Sequence, residues 1–202
     1  MSGGLARVWR EAGARGVWFG ALAWARLYRR LELVELSLDP PPALRETLLA
    51  LEYGFLADTD DEDARARLER GDRFFAARED DTIVSSRWIA EGRAFVGYLE
   101  SWLELEPGEV YLSEAFTVPA LRGHGVAGAV GSRLAHALAG EGYRRILAGV
   151  LRENHAGTRA YEKVGYRRVG RIGYVGVGRW RRHYRRIEPG RKYRPTVLLA
   201  DE

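Results

Sequence analysis

The sequence of 202 residues has no cysteine and no glutamine, and it has only one methionine and one asparagine. Without cysteine the chain forms no disulfide, offers no thiolate nucleophile and cannot bind a metal through sulfur. Its four histidines are scattered, without the close spacing that metal sites require. We therefore expect no metal centre.

Long apolar runs are also missing, because no uninterrupted stretch approaches the roughly 20 residues that cross a bilayer. The N-terminus shows neither the apolar core nor the small-residue cleavage site of a secretory signal. These observations predict a cytoplasmic protein. The composition, with 46% hydrophobic and 30% charged residues, is that of an ordinary globular chain with one main domain.

Charge is unevenly distributed along the chain, although the net charge is only +4. Residues 52–81 are rich in acids, whereas residues 167–194 hold eleven basic residues and one acid, Glu188. A basic segment of this density could contact the phosphates of a cofactor, a nucleic acid or a membrane surface, or form a solvated edge strand. Contact with nucleic acid or membrane is the less favoured interpretation.

The hydrophobic pattern divides the chain into three parts. Residues 1–35 form an amphipathic helical extension, residues 36–178 form the main domain, and residues 179–202 form a basic strand and tail. The apolar face of the extension could pack on the domain, join a second copy of the chain as a homodimer, or lie on a membrane surface. We favour packing.

Within the domain the pattern predicts an α/β fold, a mixed sheet with helices on both faces. The predicted helices cover residues 43–57, 61–70, 124–139 and 155–164. The predicted strands cover residues 32–38, 73–79, 82–90, 94–105, 110–118, 145–151, 166–177 and 180–187, and a loose tail follows residue 188. A helical crossover between strands 110–118 and 145–151 requires these two to be parallel, while the earlier strands are antiparallel.

A glycine-rich turn joins strand 110–118 to the following helix. Gly123 and Gly125 allow the backbone to approach a ligand closely, and the first amides of a helix attract anions. The basic side chain of Arg122 adds a cation. The turn is a candidate phosphate or pyrophosphate site, or else an ordinary tight strand–helix turn. Its candidate binding residues are Arg122, Gly123, His124, Gly125, Val126, Ala127 and Gly128.

A second run of residues lies on the helix predicted over 155–164. Asn154 precedes this helix and Tyr161 follows seven residues later, about two turns away, so both side chains can face one ligand. Alternatively, Asn154 caps the helix and Tyr161 is a packed aromatic with a satisfied hydroxyl.

The two runs together resemble the signature of the GNAT acetyltransferase superfamily. Arg122-x-x-Gly125-x-Ala127 matches its turn, and Asn154 with Tyr161-x-Lys-x-Gly-Tyr matches its later helix. The resemblance implies an N-acyltransferase that uses acetyl-CoA or another acyl-CoA. It also implies a central parallel strand pair splayed at the cofactor site.

The resemblance assigns roles to individual residues. The turn amides would bind the pyrophosphate of coenzyme A, and the main chain of Phe116, Thr117 and Val118 would contact its pantetheine arm. Asn154 would also contact pantetheine. The hydroxyl of Tyr161 would protonate the departing thiolate as a general acid.

The acceptor implied by the resemblance is a primary amine of a small molecule or peptide, which must lose a proton before it attacks. Strict alternation along strand 110–118 places Glu114 in an apolar series, where desolvation would favour proton uptake and so a general base. The alternatives are an ion pair with an arginine, a solvent-facing edge position, or a bulge that changes the face.

Three residues of the predicted strand 94–105 are candidates for binding a cationic acceptor. Glu100, Trp102 and Glu104 would share one face, and carboxylates beside an aromatic ring attract ammonium. A solvated strand face is the plainer interpretation. The competing function is a non-catalytic module of the same fold that senses acyl-CoA or binds nucleic acid through the basic C-terminus.

Overall fold

The computed structural model of the protein describes residues 27–59, 61–177, 180–187 and 196–199. The helices are α1 (Glu62–Glu69), α2 (Val126–Gly140) and α3 (His155–Val164). The strands are β1 (Tyr28–Ser37), β2 (Glu52–Leu56), β3 (Arg73–Glu79), β4 (Thr82–Glu91), β5 (Arg93–Val96), β6 (Ser101–Glu104), β7 (Glu109–Thr117), β8 (Arg145–Val150), β9 (Arg167–Val177), β10 (Trp180–Ile187) and β11 (Thr196–Leu199). Short 3-10 turns cover Gly97–Leu99 and Pro119–Leu121.

Eight strands form the main sheet in the order β10-β9-β1-β8-β7-β4-β3-β2. Only β7 and β8 run parallel in this sheet, and all its other described neighbours are antiparallel. A smaller sheet has the order β11-β6-β5. The predicted mixed, mostly antiparallel sheet with one parallel pair is therefore confirmed.

The two faces of the main sheet bury separate cores. Helices α2 and α3 cover one face, and the apolar stripe of α2 (Val126, Val130, Leu134 and Leu138, spaced four residues apart) is fully buried there. The second sheet covers the other face, where Leu99 and Leu103 pack with Tyr174 of β9. Helix α1 lies on this second side, because its Arg67 stacks on Trp88 of β4. Helices thus lie on both faces, as predicted.

The helix predicted over residues 43–57 is wrong. Residues 42–49 form an irregular segment, here named the strap, and residues 52–56 form strand β2, which pairs with β3. Long-range hydrogen bonds replace helical ones, because Arg45 N donates to Ser132 Oγ of α2 at 3.0 Å and Pro42 O lies 2.8 Å from His136 Nε2. Leu48 of this segment is fully exposed.

Three further boundaries differ from the sequence prediction. The strand predicted over 94–105 is a hairpin of β5 and β6, broken by the 3-10 turn at Gly97–Leu99 and by a left-handed Glu100 (φ 49°). The predicted loose tail contains β11, which pairs with β6. Residues 28–31, predicted as part of the N-terminal helical extension, belong to β1. The rest of that helical prediction lies outside the described residues.

Strand β1 also crosses residue 35, the predicted boundary between the N-terminal extension and the main domain. It pairs with β8 on one side and with β9 on the other, so its residues belong to the main sheet. Other predicted elements match closely, and α3 spans the predicted residues 155–164.

Candidate active site

The parallel strands β7 and β8 separate part of the way along their length. Their pairing runs from Glu109 and Arg145 to Leu112 and Ala148 and then stops, although β7 continues to Thr117. Beyond that point β7 remains paired with β4. A gap therefore opens on the β8 side of residues 113–117, which confirms the splayed strand pair.

A bulge in β7 marks the start of this gap. Glu114 adopts a left-handed backbone (φ 47°), and the register between β4 and β7 shifts between Ser86 and Trp88. A bulge inserts one extra residue into a strand and so reverses which side chains share a face. The alternation assumed for strand 110–118 therefore fails at Glu114.

The turn after β7 presents an open helix N-terminus. Gly123 and Gly125 have positive φ values of 89° and 81°, and Gly125 is the N-cap of α2 without any side-chain cap. The amides that precede the first intrahelical bond point outward with the positive end of the helix dipole. No acid lies between Arg122 and Gly128, so the residues present fit a diphosphate.

The strap lines the outer side of this turn. Thr47 Oγ1 donates to His124 O at 3.1 Å, and Glu46 O lies 3.5 Å from the position that a Cβ on Gly125 would occupy. The Cδ atom of Arg45 lies 3.2 Å from the corresponding position on Gly128, and its guanidinium donates to Lys163 O of α3. The strap thus places an arginine beside the first turn of α2. This position of Arg45 could not be predicted, since the segment has the sequence pattern of a helix.

The main chain of β7 is not oriented throughout as the predicted pantetheine contacts require. Phe116 O accepts from Ser85 Oγ at 2.7 Å and from Arg87 Nη1 at 2.9 Å, while Val118 N donates to Val84 O at 2.9 Å. Both groups thus face β4 and not the gap, which corrects the prediction for Phe116 and Val118. Thr117 lies between them, so its main chain faces the gap, where its carbonyl accepts from Arg122 Nε at 3.1 Å.

Tyr161 lies on the inner side of α3, partly buried against the core that α2 and α3 share. Its ring packs edge-on against Tyr166, with 4.8 Å between centroids. Burial raises the pKa of Tyr161, and the positive charge of Arg87 partly opposes this shift. The hydroxyl therefore stays protonated at neutral pH, as a general acid must.

Asn154 caps helix α3. Its Oδ1 accepts from Gly157 N at 2.9 Å, and the side chain is exposed. The capping alternative is thus confirmed, and the pantetheine contact stays a prediction.

A buried arginine beneath the turn was missed from the sequence. Arg87 of β4 is only 6% exposed, and its guanidinium donates to Ser86 O at 2.6 Å, to Phe116 O at 2.9 Å and to Ala127 O at 3.4 Å. It therefore links β4, β7 and the first turn of α2. Burial lowers the pKa of Arg87, although nearby Tyr161 and Tyr166 oppose that shift. The sequence feature that could have pointed to Arg87 is the polar run Ser85-Ser86-Arg87 inside a mainly apolar strand.

The prediction of a desolvated Glu114 is wrong. Its side chain is 68% exposed and forms an ion pair with Arg67 of α1, with 2.8 Å between Nη1 and Oε1. The bulge turns the carboxylate out of the apolar series. Arg67 also lies over the ring of Trp88, 4.2 Å from its centroid.

An open cleft of about 540 Å³ lies beside Glu114, between α1 and the strands β3, β4 and β7. Its walls carry aromatic rings, including the packed pair of Phe74 and Trp88, whose centroids are 4.6 Å apart. The lining residues are Thr59, Asp61, Ala64, Phe74, Ile83, Ser86, Trp88, Glu114, Ala115 and Phe116. Residues 114–116 also border the gap between β7 and β8, so the cleft and the gap share a wall.

Glu100 does not join Trp102 and Glu104, the other two acceptor residues predicted in segment 94–105. The Glu100 carboxylate lies 3.1 Å from Arg29 Nη1 and 2.7 Å from Arg181 Nη1. The Trp102 ring packs on Phe95, and Arg93 stacks 4.5 Å from its centroid. The hairpin separates Glu100 from the strand that carries Trp102 and Glu104. Glu100 therefore leaves the predicted common face, whereas Trp102 and Glu104 stay two residues apart on β6 and share one.

Two negative findings concern only the described ranges. No group of three or more histidine, aspartate or glutamate side chains there is arranged to hold a metal ion. None of the three described helices is long and apolar enough to cross a membrane.

The opened parallel pair and the uncapped helix beside it define a protein suited to a cofactor that carries phosphate. A family model described as "Acetyltransferase (GNAT) family" matches residues 31–166. The chain therefore belongs to the GNAT acetyltransferase family. No curated protein matches the sequence significantly.

Solved structures resemble the chain in fold. A GCN5-related N-acetyltransferase from Sphaerobacter thermophilus has 17% identity and a TM-score of 0.48, covering 91% of this chain and 60% of its own. One from Kribbella flavida has 12% identity and a TM-score of 0.49, covering 78% and 60%. A Drosophila protein has 12% identity and a TM-score of 0.50, covering 85% and 57%. The chain thus spans about 60% of the length of the first structures that it matches.

Proposed function

We propose that this GNAT family member is an N-acyltransferase that moves an acetyl group from acetyl-CoA to a primary amine of a small molecule or peptide. The observation that carries the proposal is the gap between β7 and β8, bordered by the uncapped N-terminus of α2. Tyr161 lies on the next helix. Together these features would supply an anion site and a proton donor for one cofactor.

The chain's own residues would hold the cofactor as follows. The amides of Gly123, Gly125, Val126 and Ala127, which have no described backbone acceptor, would bind the diphosphate together with Arg122. The main chain of Thr117 and the side chain of Asn154 would contact the pantetheine arm. Bound acetyl-CoA would supply the acetyl thioester. Tyr161 would donate its proton to the leaving sulfur.

The aromatic cleft beside Glu114 is our proposed acceptor site, in place of Glu100, Trp102 and Glu104. Its wall of residues 114–116 also borders the gap, so an amine there would approach a thioester in the gap. Phe74 and Trp88 provide apolar surface, and Glu114 provides a carboxylate. Glu114 would attract the ammonium form of the acceptor and take up its proton, directly or through water.

Two measurements test the proposal. Acetyl-CoA should raise the melting temperature in a concentration-dependent way, because a ligand that binds only the native state stabilises it by about 2.7 kcal/mol at one hundred times its dissociation constant. With acetyl-CoA and a panel of amines, the protein should then release free coenzyme A, which is detected by its thiol. Desulfo-coenzyme A is the control that binds without transfer. No shift with either ligand would contradict the proposal.

A second candidate is the non-catalytic nucleic-acid module. It rests on β10, the edge strand of the main sheet, where Arg182 and Arg186 are exposed. Binding to DNA or RNA that weakens steeply with salt, together with no thiol release for any amine, would favour this candidate.

A further inference from the structure

The floor of the cleft beside Glu114 carries aromatic side chains from three strands. Phe74 of β3 lies opposite Trp88 of β4, and their rings pack with 4.6 Å between centroids. Ser86 of β4 lies opposite Phe116 of β7. Residues directly opposite each other in antiparallel strands place their side chains on the same face of the sheet. The rings of Phe74, Trp88 and Phe116 therefore line the cleft together.

This floor leaves apolar surface open to solvent. Phe116 is 45% exposed, and Ile83, which also lines the cleft, is 37% exposed. Single exposed apolar side chains are ordinary, but a group of them inside a concave site marks the place of a ligand. The volume of about 540 Å³ lies within the range of roughly 300 to 1,000 Å³ that small-molecule sites have. The cleft therefore suits a small molecule with an apolar body.

The acids of the cleft limit the charge that such a molecule can carry. Among the described lining residues the acids are Asp61 and Glu114, and both already have partners. Asp61 Oδ1 accepts from Ala64 N at 2.7 Å as the cap of α1, and Glu114 pairs with Arg67 at 2.8 Å. The exposed Glu114 carboxylate has lone pairs left for one ammonium group. A second positive charge would lose its water against apolar side chains, which costs free energy.

We propose that the acceptor is a primary amine with one positive charge, joined by a short alkyl chain to an aromatic ring, and that the rings of Phe74, Trp88 and Phe116 select it. The inference rests on the proposed function and narrows its acceptor to one chemical class. The ring of the amine packs on the aromatic floor, where aromatic pairs add to the burial of apolar surface. Its ammonium group lies at Glu114, in the wall that the cleft shares with the gap.

Three amines separate the contribution of the ring from that of the charge. Phenethylamine has both features, ethylamine lacks the ring, and phenethylamine with an aminomethyl group at the para position has a second ammonium. The readout is the dissociation constant of each amine for the full chain, measured by calorimetry with and without saturating desulfo-coenzyme A. We expect phenethylamine to bind at least about tenfold more tightly than either of the other two, because its ring is buried and its single charge is paired. With acetyl-CoA, kcat/KM should follow the same order.

Phe116→Ala tests the floor directly. It removes an exposed ring and keeps the main-chain carbonyl that accepts from Ser85 and Arg87. We expect the preference for phenethylamine over ethylamine to fall at least about threefold, the loss of one aromatic contact. Phe95→Ala is the matched control, because Phe95 is 49% exposed and packs on Trp102 at 5.2 Å, but it lies in the second sheet and does not line the cleft. It should leave the preference unchanged.

The outcomes distinguish this inference from the proposed function. Binding of ethylamine or of the doubly charged amine as tightly as phenethylamine would overturn the inference, even if all three are acetylated, and so would no binding of any of them. An unchanged preference in Phe116→Ala, or an equal loss in Phe95→Ala, would also overturn it. If Phe116→Ala does not fold, the three amines on the wild-type chain decide. Selective binding of phenethylamine without thiol release for any amine would support the aromatic site and refute the acyl transfer.

Discussion

Arg67 and Glu114 form an ion pair at the edge of the aromatic cleft, with 2.8 Å between Nη1 and Oε1. The same guanidinium lies 4.2 Å from the centroid of the Trp88 ring. A carboxylate and an aromatic face are the surroundings that favour an ammonium group. Arg67 therefore occupies the environment that we propose for the ammonium group of the acceptor. It would compete with a cationic substrate for Glu114 and Trp88.

Arg67→Met should consequently lower KM for a cationic amine. We expect a decrease of about two- to fivefold, the range given by an exposed ion pair of about 0.4 to 1 kcal/mol. KM for acetyl-CoA should not change. The measurement is steady-state kinetics at low salt with the best amine of the panel.

Arg73→Met is the matched control for this prediction. Arg73 also stacks on a ring, that of Phe55 at 3.8 Å, and pairs with Glu141, but unlike Glu114 and Trp88 neither of these partners lines the cleft. It should leave KM for the amine unchanged. An equal change in both variants would show that the effect of Arg67 is structural and would contradict an acceptor site in the cleft.

Tyr161→Phe should lower kcat by about 10² to 10⁴, the usual contribution of a general acid. The dissociation constant for coenzyme A should stay within about twofold, because the lost hydroxyl acts on the leaving sulfur. Since burial raises the pKa of Tyr161, any alkaline decline of kcat caused by this residue should lie at higher pH than the ionisation of an ordinary tyrosine.

Tyr143→Phe is a suitable control for Tyr161, because Tyr143 packs against the same core near the far end of α2. Its kcat should equal that of the wild-type chain. A Tyr161→Phe variant with normal turnover would remove Tyr161 from the mechanism.

Local signals explain why α3 could be predicted to the residue. Asn154 caps its start, and Gly165, with a φ of 113°, ends it by donating its amide to the Tyr161 and Glu162 carbonyls. Both signals lie within the segment itself. The same reasoning failed for residues 43–57, because the partners of the strap, such as Ser132 and His124, lie about 80 residues away in sequence.

The site was predicted less completely than the fold. The turn and Tyr161 follow from short motifs, whereas the orientation of Glu114 depends on a bulge that shifts the register by one residue. Such a shift moves side chains to the opposite face and leaves no mark in the alternation itself. Arg87 could not be assigned because its burial follows from the packing of the first turn of α2 over β4.

Gly128 of α2 offers a test of the anion site. Gly128→Val would place a branched side chain on the first turn, where its Cβ lies 3.2 Å from the flexible Arg45 Cδ. The fold should tolerate this, because Arg45 can move. We expect the dissociation constant for coenzyme A, measured by calorimetry, to rise at least about tenfold, which corresponds to about 1.4 kcal/mol.

Gly131→Ala on the same helix is the control for Gly128. Its Cβ would lie 3.5 Å from Val164, an ordinary contact, and alanine favours a helix over glycine by up to about 1 kcal/mol. Stability should be equal or higher, with unchanged affinity for coenzyme A. Tight binding to Gly128→Val would place the diphosphate away from α2.

Buried tyrosines should make the protein unstable at alkaline pH. Burial raises the pKa of Tyr111, Tyr161 and Tyr166 above the ordinary value near 10. Above pH 10 the unfolded chain has released these protons while the folded chain keeps them, so the unfolded state binds fewer protons and the free energy of unfolding falls as pH rises. Below about pH 9 neither state ionises, and these groups add no pH dependence.

Each such tyrosine contributes a slope of up to about 1.4 kcal/mol per pH unit between its unfolded and folded pKa values. Tyr111→Phe removes one of them, so its free energy of unfolding should decline less steeply than that of the wild-type chain between pH 10 and 11. Urea titrations at pH 8, 10 and 11 measure this, and the value at pH 8 corrects for lost packing. Parallel declines in the two chains would mean that Tyr111 ionises in the folded state as readily as in the unfolded one.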